Sequence, residues 1–436
     1  MTALNVLYLH HRMSSIKIWL TTRFPALDSR DYVLFLIGQF ISVIGTWMQA
    51  TALPYLAYRI SGRPLDLGLI GFANTLPTLL FALPAGVLVE RWDKRKVVIL
   101  LQAVMSVQAF GLTYLAFTGH LEIWHILLLA FIYGSAVSVE VTARQAMLIE
   151  LAGKEALPSA IALQTTAFNL GRVIGPVVAA GLITTTGNEG TVFLANGVSY
   201  IFVIIGLFFA RTRFKVEKEA ESSVGMRNEF KEGLRYIGSS ALVLSAILMS
   251  ALLGFFGIPL IQQLPAIARD ILQPGLTSEA LIAARTSNLY MAQGIGAVTA
   301  ALMMAYFAST DKSATLLWGQ VLFILPIIAL GMTVNTKLAF FLLIFIGWGT
   351  VVQLISMNIM IQIRVPNELR GRVFSVYFWG LQGVAPFGSI LIGWVAQTWQ
   401  VQTAILVGGL ACLAGTILIR AIFMQKNKAE QGLGMP

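Results

Sequence analysis

The chain has 436 residues, of which 57% are hydrophobic and only 11% are charged, and its mean hydropathy is +0.78. Soluble domains carry about 25% charged residues, so this composition excludes an ordinary soluble enzyme and a nucleic-acid-binding protein. The net charge of +10 at pH 7 is instead a guide to membrane topology, because basic residues concentrate on cytoplasmic loops.

The first 30 residues lack the pattern of a cleavable signal peptide, and we interpret residues 1–30 as a cytoplasmic tail. From there onward, apolar runs recur at the length of about 20 residues that a membrane-spanning helix needs. These runs are too long and continuous for the strands of a barrel, so they are helices. The sequence therefore predicts an all-α integral membrane protein with twelve spans, numbered in chain order: 31–57, 66–89, 96–118, 123–150, 157–187, 189–210, 240–268, 286–307, 314–332, 337–363, 369–396 and 401–424.

A charged stretch between spans 6 and 7 divides the predicted helices six and six. We interpret the chain as two halves, a cytoplasmic linker with an amphipathic part, and a second cytoplasmic tail: 31–210, 240–424, 211–239 and 425–436. Glycines recur at a constant spacing between the halves, as in the pairs Gly45 and Gly257, and Gly171 and Gly383. Parallel six-helix repeats are typical of transporters that bind substrate between the halves near mid-membrane.

The distribution of basic residues predicts the orientation of the bundle. Most of the 30 lysines and arginines fall on segments that are cytoplasmic when both termini are inside. The outer loops then hold only five: Arg59, Arg63, Arg269, Arg285 and Lys337. We therefore expect a multi-pass protein of the cytoplasmic (inner) membrane with both termini in the cytoplasm.

The loop between spans 2 and 3 contains a glycine, an acid, an arginine and a basic cluster: Gly86, Glu90, Arg91, Lys94 and Arg95. This pattern resembles the loop motif of the major facilitator superfamily, although Glu90 replaces the usual aspartate. The resemblance implies two six-helix halves and a gate on the cytoplasmic face, where the loop meets the start of span 11 at Arg370, Gly371 and Arg372. The alternative is that these charges only set the topology.

Further segments resemble one branch of that superfamily, the bacterial exporters similar to the enterobactin exporter. They are residues 45–49, 143–146, 157–163, 168–176 and 366–373. In span 5, Gly171, Gly175 and Pro176 also resemble the motif of antiporter members, with alanines at the two final positions. The resemblance favours export over uptake, whereas plain helix packing is the alternative role of the two glycines.

Among the charged residues within the spans, Glu140 is the only carboxylate near membrane depth. Arg144 follows it at i+4, on the same helical face, and Arg172 in span 5 could reach the same cluster. Ionisable groups in a membrane often mark proton or substrate pathways. Glu140 could therefore carry a proton during the transport cycle. The neighbouring cations favour the ionised carboxylate, and this favours the alternative, a static charge cluster that holds spans 4 and 5 together.

By the same resemblance, spans 1, 4, 7 and 10 line a central cavity. The candidate lining residues are mostly amides, with one aromatic residue: Gln39, Trp47, Gln49, Gln262, Gln353 and Asn358. Each of them, taken alone, could serve packing instead. Together they favour a bulky, amphiphilic solute that is uncharged or of mixed charge.

The sequence lacks the motifs for ATP binding, for metal binding and for a disulfide. A phosphate-binding loop with its lysine is lacking, so ATP does not drive the protein directly. The four histidines do not pair with acids as metal ligands would, and the single cysteine, Cys412, allows no disulfide within the chain. We expect no metal, no cofactor and no enzyme activity.

The sequence thus predicts a secondary active exporter that works by alternating access, with the proton gradient as the driving force. Its expected partners are a small-molecule substrate, such as a drug, a siderophore or another metabolite, and membrane lipids. Nucleic acid is not expected. A six-plus-six bundle encloses its own pathway, so a monomer suffices. The alternatives with the same fold are a lipid or lysolipid flippase, an uptake carrier and a facilitator without proton coupling. A membrane-embedded sensor or enzyme is a further alternative.

Overall fold

The computed structural model describes residues 21–212, 226–272, 275, 277–306 and 312–432. Within these ranges the backbone alone is described at residues 82–88, 90, 91, 226–231, 312, 367, 368 and 424–432. The secondary structure of the described residues is helical throughout, without a β-strand.

Twelve helical segments are long and apolar enough to cross a membrane, which confirms the predicted fold class and the number of spans. Their apolar parts are Arg30–Ser61, Pro64–Phe81, Lys94–Thr118, Ile123–Ala152, Leu157–Thr186, Gly190–Phe208, Ala241–Ile271, Glu279–Tyr306, Ser313–Met332, Thr336–Arg364, Leu369–Trp399 and Val401–Phe423. Helix continues beyond these parts in spans 2 and 12, as far as Arg91 and Gly432. The spans keep the numbers 1–12, and most predicted boundaries differ from the observed ones by a few residues, but span 8 begins at Glu279, seven residues before its predicted start.

Side-chain caps and glycines fix several of the helix ends. The Asp93 carboxylate accepts the backbone N–H groups of Arg95 and Lys96, at 3.0 and 3.3 Å, and so begins span 3. Span 1 ends at Gly62 and span 3 at Gly119, and both glycines adopt the left-handed conformation, with φ of 62° and 71°. These ends place the connections between spans on the two faces of the bundle.

Spans 7 and 11 are not continuous α-helices. Span 7 contains the π-helical segments Leu253–Gly257 and Ile267–Ile271, and span 11 contains Trp379–Gly383. A methyl group at Gly254 would lie 2.0 Å from the Leu381 carbonyl oxygen, so the two backbones touch beside these wide turns. Such turns insert an extra residue into a helix and are frequent at functional sites.

The N-terminal half (spans 1–6) meets the C-terminal half (spans 7–12) along two helix pairs. Span 2 packs against span 11, and span 5 packs against span 8. Small residues allow the close approach: a methyl group at Gly68 would lie 2.3 Å from the Ser389 carbonyl oxygen, and one at Gly294 would lie 2.8 Å from the Arg172 carbonyl oxygen. The space between the halves is therefore narrow along these two pairs.

A linker helix, Met226–Ser239, precedes span 7 and docks on the C-terminal half. The Tyr236 hydroxyl donates to the Arg364 carbonyl oxygen at 2.9 Å, and Glu232 pairs with Arg372 at 2.5 Å. Residues 1–20, 213–225 and 433–436, which hold most of the predicted tails and the first part of the linker, lie outside the described residues.

Candidate functional site

A cavity of about 420 Å³ lies between the two halves, within the range of small-molecule binding sites. Spans 1, 2, 4, 5, 7, 8, 9, 10 and 11 each contribute to its wall. Most of the wall is apolar, and the polar contributions are five amides and one cation, together with Thr46, Tyr133, Tyr290 and Thr350. The amides are Gln49, Asn74, Gln262, Gln293 and Gln382, and the cation is Arg172.

Arg172, the one cation of the described wall, lies beside Trp47. The Arg172 guanidinium carbon lies 5.4 Å from the centre of the Trp47 ring, a cation–π distance. Phe168 meets the same ring edge-on, with 5.5 Å between the ring centres. The Nε of Arg172 and the Nε1 of Trp47 are buried, and neither donates a hydrogen bond to any described residue. Two unused N–H donors therefore belong to residues that line one cavity, and neighbouring atoms cover both nitrogens.

The antiporter-like motif holds this pair of residues in place. A methyl group at Gly175 would lie 2.5 Å from the Trp47 Cβ, and one at Gly171 would lie 2.5 Å from a Val43 methyl carbon. Pro176 is buried within span 5, one residue beyond this contact. Spans 1 and 5 thus approach closely because the two glycines have no side chain, and this approach brings Arg172 beside Trp47.

Glu140 and Arg144 lie in a separate polar cluster. The Glu140 carboxylate accepts from Arg144 Nε at 3.0 Å and from Gln102 Nε2 at 3.2 Å, and Arg144 Nη1 donates to Gln164 Oε1 at 3.2 Å. Arg172 does not join them, contrary to the expectation from the sequence. It lies eight residues beyond Gln164 in span 5, about 12 Å further along the helix axis, at the level of the cavity.

A second buried network connects the cavity wall to spans 3 and 6. Gln49 donates to Gln108 Oε1 at 3.3 Å and accepts from Asn196 Nδ2 at 2.8 Å. The Tyr200 hydroxyl lies 3.3 Å from both Asn196 Nδ2 and Thr46 Oγ1. Sequence reasoning missed Gln108, Asn196 and Tyr200. The one signal available for them was a polar side chain inside an apolar run.

The six predicted cavity residues divide into two groups. Trp47, Gln49 and Gln262 line the cavity. Gln39 is buried in span 1 but does not border the cavity, and Gln353 donates to the Gly319 and Gly349 carbonyl oxygens at 3.3 and 3.2 Å. Asn358 accepts from Gln362 Nε2 at 2.6 Å. The rotation of each helix about its axis decides this division, and composition does not reveal it.

The predicted gate residues lie on the terminal side of the bundle, the side on which span 1 begins and span 12 ends. In the N-terminal half, Lys94 pairs with Glu150 at 2.7 Å, and Arg95 donates to the Phe208 carbonyl oxygen at 2.8 Å. The side chains of Glu90 and Arg91, and the surroundings of Gly86, lie outside the described residues. The predicted pairing of Glu90 with span 11 is therefore not described.

In the C-terminal half, the gate residues also have partners within their own half or on the linker helix. Arg370 Nη2 donates to the Gln362 carbonyl oxygen at 3.1 Å, and Arg372 Nη1 bonds Glu232. The Gly371 carbonyl oxygen accepts from the Ser375 hydroxyl at 3.0 Å. The contacts named here for Arg370, Gly371 and Arg372 lie within the C-terminal half and its linker helix.

On the far side, opposite the termini, a group of tyrosines and charged residues connects the halves. We call Tyr55, Tyr58, Arg269, Asp270 and Glu279 the far-side closure. The Tyr55 hydroxyl lies 2.9 Å from the Glu279 carbonyl oxygen and 3.0 Å from its carboxylate. Tyr58 donates to the Asp270 carboxylate, and Arg269 pairs with Glu279 at 2.5 Å. Sequence reasoning did not single out this group.

Glu189 is buried beside this closure, with 1% of its surface exposed. Its carboxylate pairs with Arg59 at 2.8 Å. Burial raises the pKa of the Glu189 carboxyl above its ordinary value, while the Arg59 charge opposes the shift. The far side therefore holds a carboxylate whose ionisation is costly.

The model of the transmembrane secretion effector family matches residues 21–433. The MFS-type transporter YfiS of Bacillus subtilis (strain 168) is 24% identical over 93% of this chain and 98% of its own. The multidrug efflux pump Tap of Mycolicibacterium fortuitum is 24% identical over 84% of this chain and 89% of its own. The enterobactin exporter EntS of Escherichia coli O1:K1 / APEC is 23% identical over 91% of this chain and 92% of its own.

Two solved structures have the same fold. The nucleoside transporter NupG superposes with a TM-score of 0.67 at 13% identity, covering 90% of this chain and 99% of its own. A bacterial homologue of the lysosomal transporter Spinster, inward-facing and unoccupied, gives a TM-score of 0.65 at 13% identity, covering 91% and 97%.

Proposed function

The chain belongs to the transmembrane secretion effector family of the major facilitator superfamily, whose members are transporters and not enzymes, and from this premise we propose its specific activity. It exports a bulky, amphiphilic small molecule by alternating access between two six-helix halves. The proton gradient supplies the energy, and the protein works as a monomer surrounded by membrane lipids.

One observation carries this proposal: a substrate-sized cavity lies between the two halves, and the hydrogen bonds described between them are all on one side of it. Every hydrogen bond described between the halves lies on the far side, where residues 55–64 meet residues 263–279. On the terminal side, Lys94 pairs with Glu150 inside the N-terminal half, and Arg370 bonds Gln362 inside the C-terminal half. An arrangement that is closed on one side of a central site is one state of an alternating-access cycle.

The wall of the cavity supports an amphiphilic substrate. Trp47, Phe168 and Tyr290 provide aromatic surface, and Gln49 and Gln262 provide amides that both donate and accept hydrogen bonds. Apolar walls with a few placed polar groups are typical of sites that take drug-sized molecules. A sugar phosphate or a dicarboxylate fits this wall poorly, because it would leave charges uncompensated.

The direction of transport follows from the orientation of the bundle. We propose that the terminal side faces the cytoplasm of a bacterial cell, since most lysines and arginines lie on that side. The closed far side then faces outward, and the cavity takes up its substrate from the cytoplasm. The related Tap is named an efflux pump and the related EntS an exporter, which supports export as well.

Accumulation of a panel of amphiphilic dyes, antibiotics and siderophores in an efflux-deficient bacterial host tests the proposal. We expect cells that express the protein to accumulate less of some compounds, and a protonophore to abolish the difference. The variant Ala50→Trp, which fills the cavity, should lose this activity. Val177→Trp introduces the same side chain at an exposed position of span 5 and is the matched control.

Equal accumulation of every compound in cells with the protein in the membrane and in cells without it would contradict the proposed export. Reduced accumulation that survives the protonophore would contradict the proton gradient as its energy source. Increased accumulation would assign the protein to uptake.

A further inference from the structure

Arg172 is the only charged residue among the described residues that line the cavity. Its side chain makes a cation–π contact with Trp47, but no described carboxylate lies within ion-pairing distance of it. Buried charges in proteins are usually paired, because removing an ion from water is costly. The cavity therefore carries one positive charge that the described part of the chain leaves uncompensated.

The candidate counterions among the described residues are already engaged elsewhere. Glu140 accepts hydrogen bonds from Arg144 and Gln102 in its own cluster, and Gln164 completes that cluster from span 5. Asp270 and Glu279 bind tyrosines and Arg269 at the far side. The described carboxylates near the cavity thus have other partners.

Two hydrogen-bond donors point to the same missing group. Arg172 Nε and Trp47 Nε1 are both buried without a partner, and unsatisfied buried donors are rare in native structures. The Gly175 contact fixes Trp47 against span 5, so the two donors stay on adjacent, closely packed helices. Both nitrogens are covered by neighbouring atoms, so an anionic oxygen reaches them by displacing a side chain of the wall, and it would then satisfy the donors and neutralise the charge.

We propose that the cavity recognises an organic anion with a single negative charge. A carboxylate, sulfonate or phenolate group binds Arg172 and Trp47 Nε1, and an aromatic or apolar body lies against Phe168 and the rest of the wall. This inference rests on the proposed function and narrows its substrate class. A second negative charge would lack a partner, because the remaining polar groups of the described wall are neutral.

The site also lies where the halves meet. A methyl group at Gly294 of span 8 would lie 2.8 Å from the Arg172 carbonyl oxygen, so the residue that binds the anion belongs to the contact between spans 5 and 8. An anion bound there changes the charge at a surface that must separate during alternating access. Substrate binding and the movement of the halves are therefore coupled at one residue.

Binding to the purified full-length protein in neutral detergent tests the inference through the thermal unfolding midpoint (Tm). Three aromatic anions are compared with neutral counterparts of similar shape: 8-anilino-1-naphthalenesulfonate with N-phenyl-1-naphthylamine, anthracene-9-carboxylate with its methyl ester, and dansylglycine with its methyl ester. We expect at least one anion to raise the Tm of the wild-type protein more than its neutral counterpart does. If none of the three does, the proposal is overturned, whatever the variants do.

Substitutions at Arg172 and Trp47 test whether the anion binds at these two residues. A hydrogen bond to a charged group is worth enough to change affinity about 10- to 100-fold, so Arg172→Gln should weaken binding of the anion by that factor and leave the neutral counterpart unaffected. Trp47→Phe keeps an aromatic side chain but removes the N–H group, and it should lower the affinity for the anion by a few fold. Arg420→Gln, which removes an arginine that bonds Gln320 away from the cavity, is the matched control.

The remaining outcomes are equally decisive. Equal loss of anion binding in Arg172→Gln and Arg420→Gln would overturn the assignment to Arg172. The same Tm increase with sodium chloride alone would mean a site for a small inorganic anion, which also overturns it. Tm values at equilibrium do not depend on a proton gradient. Failure of energised export in cells is therefore distinguishable from failure of anion recognition.

Discussion

The Tyr55 hydroxyl lies 2.9 Å from the backbone carbonyl oxygen of Glu279 and 3.0 Å from its carboxylate, and so joins span 1 to the start of span 8. Tyr58, one turn further along span 1, makes the equivalent contact with Asp270 of span 7. Two neighbouring hydroxyls of one helix thus link the halves on the far side, and in the proposed cycle both bonds must break before that side can open.

We expect Tyr55→Phe and Tyr58→Phe to shift the protein towards the state that is open on the far side. Each hydrogen bond contributes about 1 kcal/mol net, or about a fivefold change in population. A cysteine introduced by Ala50→Cys in the cavity wall reports the change through its labelling rate with a membrane-impermeant maleimide applied to intact cells. The native Cys412 is buried and contributes little background.

Tyr236→Phe is the matched control for this experiment, because its hydroxyl bonds Arg364 between the linker helix and the C-terminal half. Its labelling rate should equal that of the parent protein. Unchanged rates in Tyr55→Phe and Tyr58→Phe as well would show that these hydroxyls do not hold the closed state.

For Glu140, we expect Glu140→Gln to fold normally but to lose pH-driven export. The amide retains an oxygen that accepts from Arg144 and Gln102, but it cannot release a proton. Glu140→Ala should instead lower stability by about 3–5 kcal/mol, because it leaves the Arg144 charge without its partner. Export driven by an imposed pH gradient in vesicles, together with Tm values, separates the two effects.

The double variant Glu140→Gln, Arg144→Gln distinguishes a proton carrier from a static clamp. It keeps the net charge of the cluster and replaces both ions by amides. Restored export in the double variant, or full export in Glu140→Gln alone, would assign Glu140 to holding spans 4 and 5 together.

In span 5, Gly175→Ala should destabilise the protein by about 1–3 kcal/mol, the usual cost of overpacking. The added methyl group would lie 2.5 Å from the Trp47 Cβ and 3.0 Å from the Ile44 carbonyl oxygen. Gly181→Ala is the control in the same helix, since a methyl group there meets nothing within 4 Å. It should leave stability unchanged or raise it by up to about 1 kcal/mol. Equal Tm values for the two variants would contradict the close packing of spans 1 and 5.

The buried carboxyl of Glu189 predicts a pH dependence of stability. Its pKa is raised by burial above the ordinary value, so the protonated form favours the folded state. The associated stability is present at low pH and is lost as the pH rises from the ordinary carboxyl range, about 4.3, through the raised value. Glu189→Gln removes this loss. Its Tm relative to wild type should therefore increase between about pH 4 and pH 7.

Arg59→Gln is the companion variant for Glu189. It removes the cation that opposes the effect of burial, so the loss of stability with rising pH should be steeper than in the wild type. A constant Tm difference between Glu189→Gln and wild type over this pH range would contradict the raised pKa.

The architecture could be predicted from the sequence because the lipid environment strongly restricts which backbone structures can cross a membrane. Each span must be long, apolar and helical to satisfy its backbone, and the twelve predicted spans are confirmed. The loop motif and the segments of spans 4, 5 and 11 were likewise sufficient for the superfamily, which the match over residues 21–433 bears out.

The interior of the bundle was harder to predict, because a membrane helix is apolar on its lipid face as well as its packed face. Gln49 and Gln353 look alike in the sequence, yet the first lines the cavity and the second bonds Gly319 in span 9. Each π-helical segment in spans 7 and 11 adds one residue to its helix. The side chains after that segment are therefore turned by about 100° around the helix axis. A helix face assigned from regular α-helical spacing is therefore wrong for the residues of span 7 that follow Gly257.

The position of Trp47 gives the protein an optical signal of its own. An indole in contact with a guanidinium has an emission that depends on that cation, and a molecule that enters between them changes it. The difference in fluorescence between the wild type and Trp47→Phe isolates this one indole from the other eight tryptophans. Occupancy of the cavity can then be followed in real time, without a label and before any substrate has been identified.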